Sequence, residues 1–230
     1  MIENQYAPDT VSPPGDTLAE TIEELGMTQA DLATRMGRPQ KTISEIINGK
    51  TAITPDTALQ LERVLGVPAR FWLKREQHYQ EWRARQQEEE QLRAEQDWLG
   101  QLPVNEMIQR GWIASCTDAI DQMRALLDYF GVASPAQWRQ VWLEPKVAFR
   151  HTAAFSSDVG ALAAWLRKGQ LEAQAINCAP YDVVEFRRAL LQVRALTAKP
   201  THQILADVRQ ICAAAGVAVV VVPALTKSRA

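Results

Sequence analysis

The densest set of side chains able to do chemistry lies between Gln40 and Thr51. Ile43, Ile46 and Ile47 recur at helical spacing, so one face of that segment turns inward and Gln40, Lys41, Thr42, Ser44 and Glu45 are left on the other. These residue types make and break no covalent bonds in this arrangement; they read hydrogen-bonding edges. Gln matches adenine, Lys matches guanine, Thr or Ser matches either, and Glu45 accepts from a cytosine amino group or repels phosphates. Gln29, Arg38, Lys50 and Thr51 flank the segment where phosphates would lie, and phosphate contacts position a protein without reading sequence. Asn48, at the segment's exit, completes the candidate DNA-binding set.

The other reactive residues are scattered. Cys116, Cys178 and Cys212 are odd in number and far apart, which fits reduced, buried thiols and neither a disulfide framework nor a zinc knuckle. His78, His151 and His202 stand alone, and the H-E-x-x-H pattern that lets two His share a zinc beside a general base is absent. Cys178 or Cys212 with His202 lacks any local context for activating a thiol. There is no G-x-S-x-G elbow, P-loop or G-x-G-x-x-G. Trp112, Trp138, Trp142 and Trp165 read as core or interface anchors, or as the lining of a small pocket or partner groove. The expectation is a protein that is not an enzyme, with no cofactor and no metal.

The elements that must hold the candidate face can be read from periodicity. Residues 1–13 form a polar leader, and Ser12-Pro13-Pro14-Gly15 reads as punctuation outside a helix. From Asp16, Leu18, Ile22 and Leu25 predict a first helix capped at Gly26. Thr28-Gln29-Ala30-Asp31 is a capping-box variant opening a short helix that buries Leu32, Ala33 and Met36 before Gly37. Pro39 starts the third helix and Asn48-Gly49 ends it. Thr54-Pro55 opens a fourth, with Ala58, Leu61 and Leu65 inward and Gly66 as its stop. Pro68 opens a fifth, with Phe71, Trp72 and Leu73 packing back. A short helix, a Gly turn and a second short helix, with small Ala33 at the crossing, is the pattern of a helix-turn-helix.

Further along, Tyr79 to Asp97 holds no Gly or Pro and is rich in Gln, Glu and Arg, which predicts a solvated spacer helix or one packing on a second copy. Leu99-Gly100 to Pro103 marks the next boundary. Helices follow at Thr117–Phe130, after the Ser134-Pro135-Ala136-Gln137 box, through Leu162, Trp165 and Leu166 up to Gly169, through Val183 to Val193, and through Ile204 to Ile211 before Gly216. Val217–Val222 reads as a buried strand without a visible partner. The expected fold is mainly all-α. A leader covers 1–13, a five-helix helix-turn-helix domain 14–78, a helical linker 79–102, and a helical C-terminal domain ending in a short β-strand 103–230.

With these motifs in place, the segment from Pro14 to Leu73 resembles a known family. Pro14-Gly15-Asp16-Thr17-Leu18, Met27-Thr28-Gln29-Ala30-Asp31-Leu32-Ala33, Thr42-Ile43-Ser44, Ile47-Asn48-Gly49, Ile53-Thr54-Pro55 and Arg70-Phe71-Trp72-Leu73 are similar to the Cro/CI-type (XRE) helix-turn-helix of HigA-like antitoxins. The resemblance implies an antitoxin-like repressor of its own operon, dimeric on a palindromic operator of double-stranded DNA, with a small toxin protein as partner. Physics favours a homodimer too, because one short helix reads only a few base pairs and paired half-sites multiply discrimination. The tail, from Tyr181-Asp182-Val183-Val184-Glu185-Phe186-Arg187 through Ala215-Gly216-Val217-Ala218-Val219-Val220, resembles the opening of an ImmA/IrrE-type zinc-peptidase domain without its H-E-x-x-H. A truncated or degenerate member of those peptidase-linked regulators is therefore the alternative reading.

Composition sets the bounds. The chain has 230 residues, 25 Lys+Arg against 27 Asp+Glu and a formal charge of -2, so no bulk basic excess grips nucleic acid and any such site is local. From Met1 to Thr34 there are seven acids and no Lys or Arg; from Arg35 to Lys50 four cations stand against Glu45 alone. No apolar run approaches the roughly 20 residues that span a bilayer, and the N-terminus has no signal-peptide pattern. The prediction is a cytoplasmic protein with no membrane contact.

Overall fold

The computed structural model describes residues 11–143, 158–196, 201–226 and 228, without the side chains of 201–203. Its contacts divide the chain between Gln91 and Leu92 into two units, each with its own apolar core. The division falls inside the segment read from sequence as a linker. Residues 1–10 of the leader, His151 and the side chain of His202 lie outside the described residues.

The first unit contains α1 (Pro14–Glu24), α2 (Gln29–Met36), α3 (Gln40–Ile47), α4 (Pro55–Leu65) and most of α5 (Ala69–Ala94). Capping accounts for the starts of α2 and α4. At α2 the Thr28 side chain accepts from the Asp31 N–H while the Asp31 carboxylate accepts from the Thr28 N–H, the reciprocal box expected from sequence. Gly37 then ends α2 at φ 64°, a left-handed conformation that costs glycine nothing and lets the chain reverse into α3. Thr54 caps α4, and the Glu62 carboxylate accepts from the Ala69 N–H at the start of α5.

One expectation fails at the start of α1. Pro14 and Gly15 are its first two residues, because proline at the first position lacks only an N–H that would go unpaired anyway. Gly15 is buried, and a Cβ there would run into the Ile46 and Ile47 carbonyl oxygens at the end of α3. Close approach of α1 to α3 therefore demands glycine. Leu18, Leu32, Ile43, Ala58, Leu61 and Trp72 form the fully buried centre. Phe71, expected to pack back with Trp72, is 41% exposed and meets Trp72 edge-on.

The long α5 runs to Ala94, as the absence of Gly and Pro predicts, and its Leu92 is buried in the second core. In the second unit a 3₁₀ turn (Gln96–Gln101) is followed by α6 (Val104–Gln109), α7 (Ala119–Phe130) and α8 (Pro135–Trp138), which continues into a π turn at Arg139–Leu143. Then come α9 (Val159–Gln174), α10 (Val183–Ala195) and α11 (Thr201–Ala214). Trp98, Phe130, Trp138 and Trp142 meet edge to face at centroid distances of 5.5–5.7 Å. The buried Tyr129 hydroxyl donates to the Ala164 carbonyl, tying α7 to α9, and burial pushes its pKa well up.

Three further expectations are corrected here. Gly169 lies within α9 rather than ending it, with the Val220 and Val222 methyls about one contact distance from where its Cβ would stand. The predicted inner face of α10 is only partly covered, with Val183 and Leu190 both 49% exposed and Ala189 buried instead. No strand forms among the described residues. Val217–Val222 has no regular structure, and side chains take two of its carbonyls: Trp165 donates to Val222 and Arg209 to Val219. A β-branched run with no strand beside it among the described residues has no ladder to join. The chain beyond is anchored by Arg110, which donates to the Pro223 and Ala224 carbonyls, and by Glu106, which accepts from the Thr226 N–H. Leu225 enters the core there.

Candidate nucleic-acid interface

The amphipathic split expected for the third helix is realised in α3. Ile43 and Ile46 are 0% and 2% exposed, and both belong to the first core; Ile47 is half-buried against it. Gln40 and Lys41 are exposed on the first turn, Thr42, Ser44 and Glu45 half-buried beside them, and Asn48, Lys50 and Thr51 lie at the exit. Burial of the isoleucines in the core shared with α1 and α2 is what fixes which face of α3 points outward, at about 25 cal/mol per Å² of apolar surface removed from water.

The two short helices present different N-termini. At α2 the Asp31 carboxylate occupies the end, and hydrogen bonds from the Thr28 hydroxyl and backbone hold its pKa below the ordinary 3.8. Gln29, the first residue of α2, thus meets any phosphate with a carboxylate two residues away. At α3 no side chain caps the end and no acid sits in the first turn. Its free N–H groups and the positive end of its dipole remain open to an acceptor, beside Gln40 and Lys41.

Individual side chains are tied in ways that periodicity did not show. Lys41 Nζ lies 3.7 Å from Glu45 Oε1, an exposed i,i+4 pair. Such a pair contributes little to stability and opens easily for another partner. Asn48 Nδ2 donates to the Ser44 carbonyl at 2.7 Å and to the Ser44 hydroxyl at 3.3 Å, so these two residues serve each other at the end of α3. Arg38 Nε donates to Gln60 Oε1 on α4 at 2.5 Å. Gln60 was not among the residues singled out from sequence, and no short-range signal could have found it, since 22 residues separate it from Arg38. The same holds for Glu76, whose carboxylate receives the Ile53 N–H, and for Arg75, which donates to Ser12 and Thr17.

Elsewhere the described residues hold no group of three or more His, Cys, Asp or Glu placed to share a metal. No helix among them is long and apolar enough to cross a membrane. An open cleft of about 540 Å³ in the second unit is lined by Leu99, Leu102, Pro103, Val104, Glu106 and Gln122. Two of its polar side chains are engaged within the protein: Gln122 with the Cys116 N–H and Ala114 carbonyl, Glu106 with Thr226 and Arg110.

Comparison with known proteins bears on the first unit. Residues 18–72 match the helix-turn-helix family HTH_3. The HTH-type transcriptional regulator YddM of Escherichia coli is 35% identical over 60 residues, which are 26% of this chain and 64% of that protein. Virulence-associated protein A of Dichelobacter nodosus is 36% identical over 59 residues, 25% of this chain and 58% of that protein. The chain thus spans about three fifths of the length of these curated relatives. Among solved structures, an addiction module antidote protein of the HigA family from Coxiella burnetii is 31% identical, with 37% of this chain matched to 94% of that one at a TM-score of 0.34. Pseudomonas aeruginosa antitoxin HigA, solved with the higBA promoter, is 25% identical over 36% of this chain and 91% of that one, at a TM-score of 0.34.

Proposed function

We propose that this protein is a sequence-specific DNA-binding transcriptional regulator that works in the cytoplasm as an antitoxin-like repressor of its own operon. The observation that carries the reading is the α2–Gly37–α3 unit. Ile43 and Ile46 face inward, Gln40, Lys41, Thr42, Ser44 and Glu45 face outward, and Arg38 and Lys50 flank them. The helix-turn-helix match over residues 18–72 and the description of a curated relative as a transcriptional regulator support it. In this reading α3 enters the major groove with its N-terminal residues at base edges, and Gln29, Arg38, Lys50 and Thr51 hold the phosphates.

A homodimer on a palindromic operator follows from the small number of bases one eight-residue helix can reach. A small toxin protein is the proposed protein partner. The role is one of binding, without catalysis or a cofactor. The alternative, a truncated or degenerate member of the peptidase-linked regulators, stands on the resemblance of the tail from Tyr181 to Val220, although no strand forms at Val217–Val222.

A mobility-shift titration of the full chain against the promoter upstream of its own gene, at several salt concentrations, tests the reading. A salt-dependent complex that prefers this duplex over a scrambled one is expected. No preference between the two would sink it.

A further inference from the structure

Cations of this chain that form ion pairs do so with acids: Lys41 with Glu45, Arg110 with Glu106, Arg139 with Glu95. Arg38 is different. It stands in the turn between the two short helices, half-buried, and its Nε donates to the amide oxygen of Gln60, itself half-buried on α4. An amide is a neutral acceptor. It fixes the rotation of the guanidinium plane and leaves the full positive charge in place, where a carboxylate would cancel it. A bond at Nε also leaves the Nη1–Nη2 edge free, and that planar fork matches two oxygens of one phosphate.

We propose that Gln60 is a positioning residue that presets the Arg38 fork for a phosphate of the DNA backbone. The proposal rests on the DNA-binding reading given above. Its logic is preorganisation: Arg loses much rotamer freedom when it grips a phosphate in one geometry, and a side chain already held in that geometry loses less. Because phosphates carry no sequence information, Gln60 contributes to affinity on every duplex alike.

The test uses the full chain with Gln60→Ala, Gln60→Glu, Arg38→Ala and the Gln60→Ala/Arg38→Ala double variant, each confirmed as folded by its thermal melt. Affinities are measured on the promoter duplex and on a scrambled duplex over a salt series. Gln60→Ala should weaken both about fivefold, the worth of one hydrogen bond. In the Arg38→Ala background it should weaken neither further. Gln60→Glu separates positioning from simple structural support. A carboxylate holds Arg38 more tightly, so a structural role predicts full rescue, whereas neutralising the fork predicts DNA binding weaker than Gln60→Ala. A fivefold loss that persists without Arg38, or wild-type binding by Gln60→Glu, overturns the proposal while DNA binding stands. Absence of salt-dependent binding by the wild-type chain overturns the DNA reading and the proposal with it.

Discussion

Lys41 and Glu45 show how a single side chain's role depends on what else it can bond. Their 3.7 Å contact is exposed and weak, so in the proposed reading Lys41 gives up little on turning to a guanine, and Glu45 is left facing the groove with its charge unpaired. On that reading, residues on the first turn of α3 read and cations at its flanks position. Replacing Gln40 or Lys41 with Ala should cost about 1–3 kcal/mol on the preferred duplex and relax the preference at one base position. Replacing Lys50 with Ala should instead weaken all duplexes equally and flatten the salt slope by about one unit. Competition binding over a set of single-base variants distinguishes these outcomes, and identical behaviour of both classes would show the division into readers and positioners to be wrong. The outward face itself was legible in sequence, because three isoleucines at helical spacing determine what is left outside. The Arg38–Gln60 and Asn48–Ser44 bonds were not. The first spans 22 residues, and the second depends on which rotamer a terminal Asn adopts.

Between elements, the contact that sets α3 against α1 runs through Gly15. A Cβ there would overlap the carbonyl oxygens of Ile46 and Ile47, which are backbone and cannot swing aside. Gly15→Ala should therefore destabilise the first unit by about 2 kcal/mol or more, readable in chemical denaturation, although alanine is the better helix former at an exposed site. An unchanged midpoint would mean that α1 and α3 do not approach so closely in solution. Gly15 was misread as a loop residue, since proline followed by glycine marks a break unless proline stands at the first helical position. Capping signals were the more reliable guide at Thr28, Thr54, Ser134 and Asp182, where the side chain and the N–H groups it serves lie within three residues. Val217–Val222 failed as a strand for the opposite reason: strand pairing is non-local, and β-branched content does not supply a partner.

The same second unit carries a pH-sensitive tie. The Glu106 carboxylate accepts from the Thr226 backbone N–H and from Arg110, in that order of weight, and its pKa is held below the ordinary 4.5. A depressed folded-state pKa contributes stability that is present above the unfolded value and is lost as pH falls through the folded one. The tail around Thr226 should thus stay docked on α6 at neutral pH and loosen once pH drops below 4.5. Amide exchange at Thr226, corrected for its intrinsic pH dependence, should rise over that range in the wild-type chain. Glu106→Gln keeps an acceptor but cannot titrate, and should abolish the acid-dependent part of the rise. Equal acid sensitivity in both proteins would place the controlling group elsewhere.

At the scale of the whole molecule, a net charge of -2 describes neither end of the helix-turn-helix. Seven acids with no Lys or Arg precede Thr34, and the following stretch to Lys50 carries Arg35, Arg38, Lys41 and Lys50 against Glu45. Asp31 sharpens the contrast by holding a carboxylate at the capped N-terminal end of α2, whereas α3 has no acid in its first turn. General attraction to DNA should be weak in consequence, since the positive stretch is small and an acidic stretch adjoins it in sequence. Each neutralised phosphate releases counterions and adds about -0.9 to the slope of log affinity against log salt. With the four cations from Arg35 to Lys50 all counted, that slope should be no steeper than about -3.6 for each bound protomer, and about -7.2 for a pair on two half-sites. The slope and the stoichiometry are measured together by titrating labelled duplexes that carry one or two half-sites. A steeper value would bring in cations outside Arg35 to Lys50. A slope that stays the same when the second half-site is removed would mean that one protomer alone accounts for the complex. In the proposed reading, discrimination then comes from base contacts on α3 rather than from the bulk field, because a face with so few phosphate contacts would hold a wrong sequence only loosely.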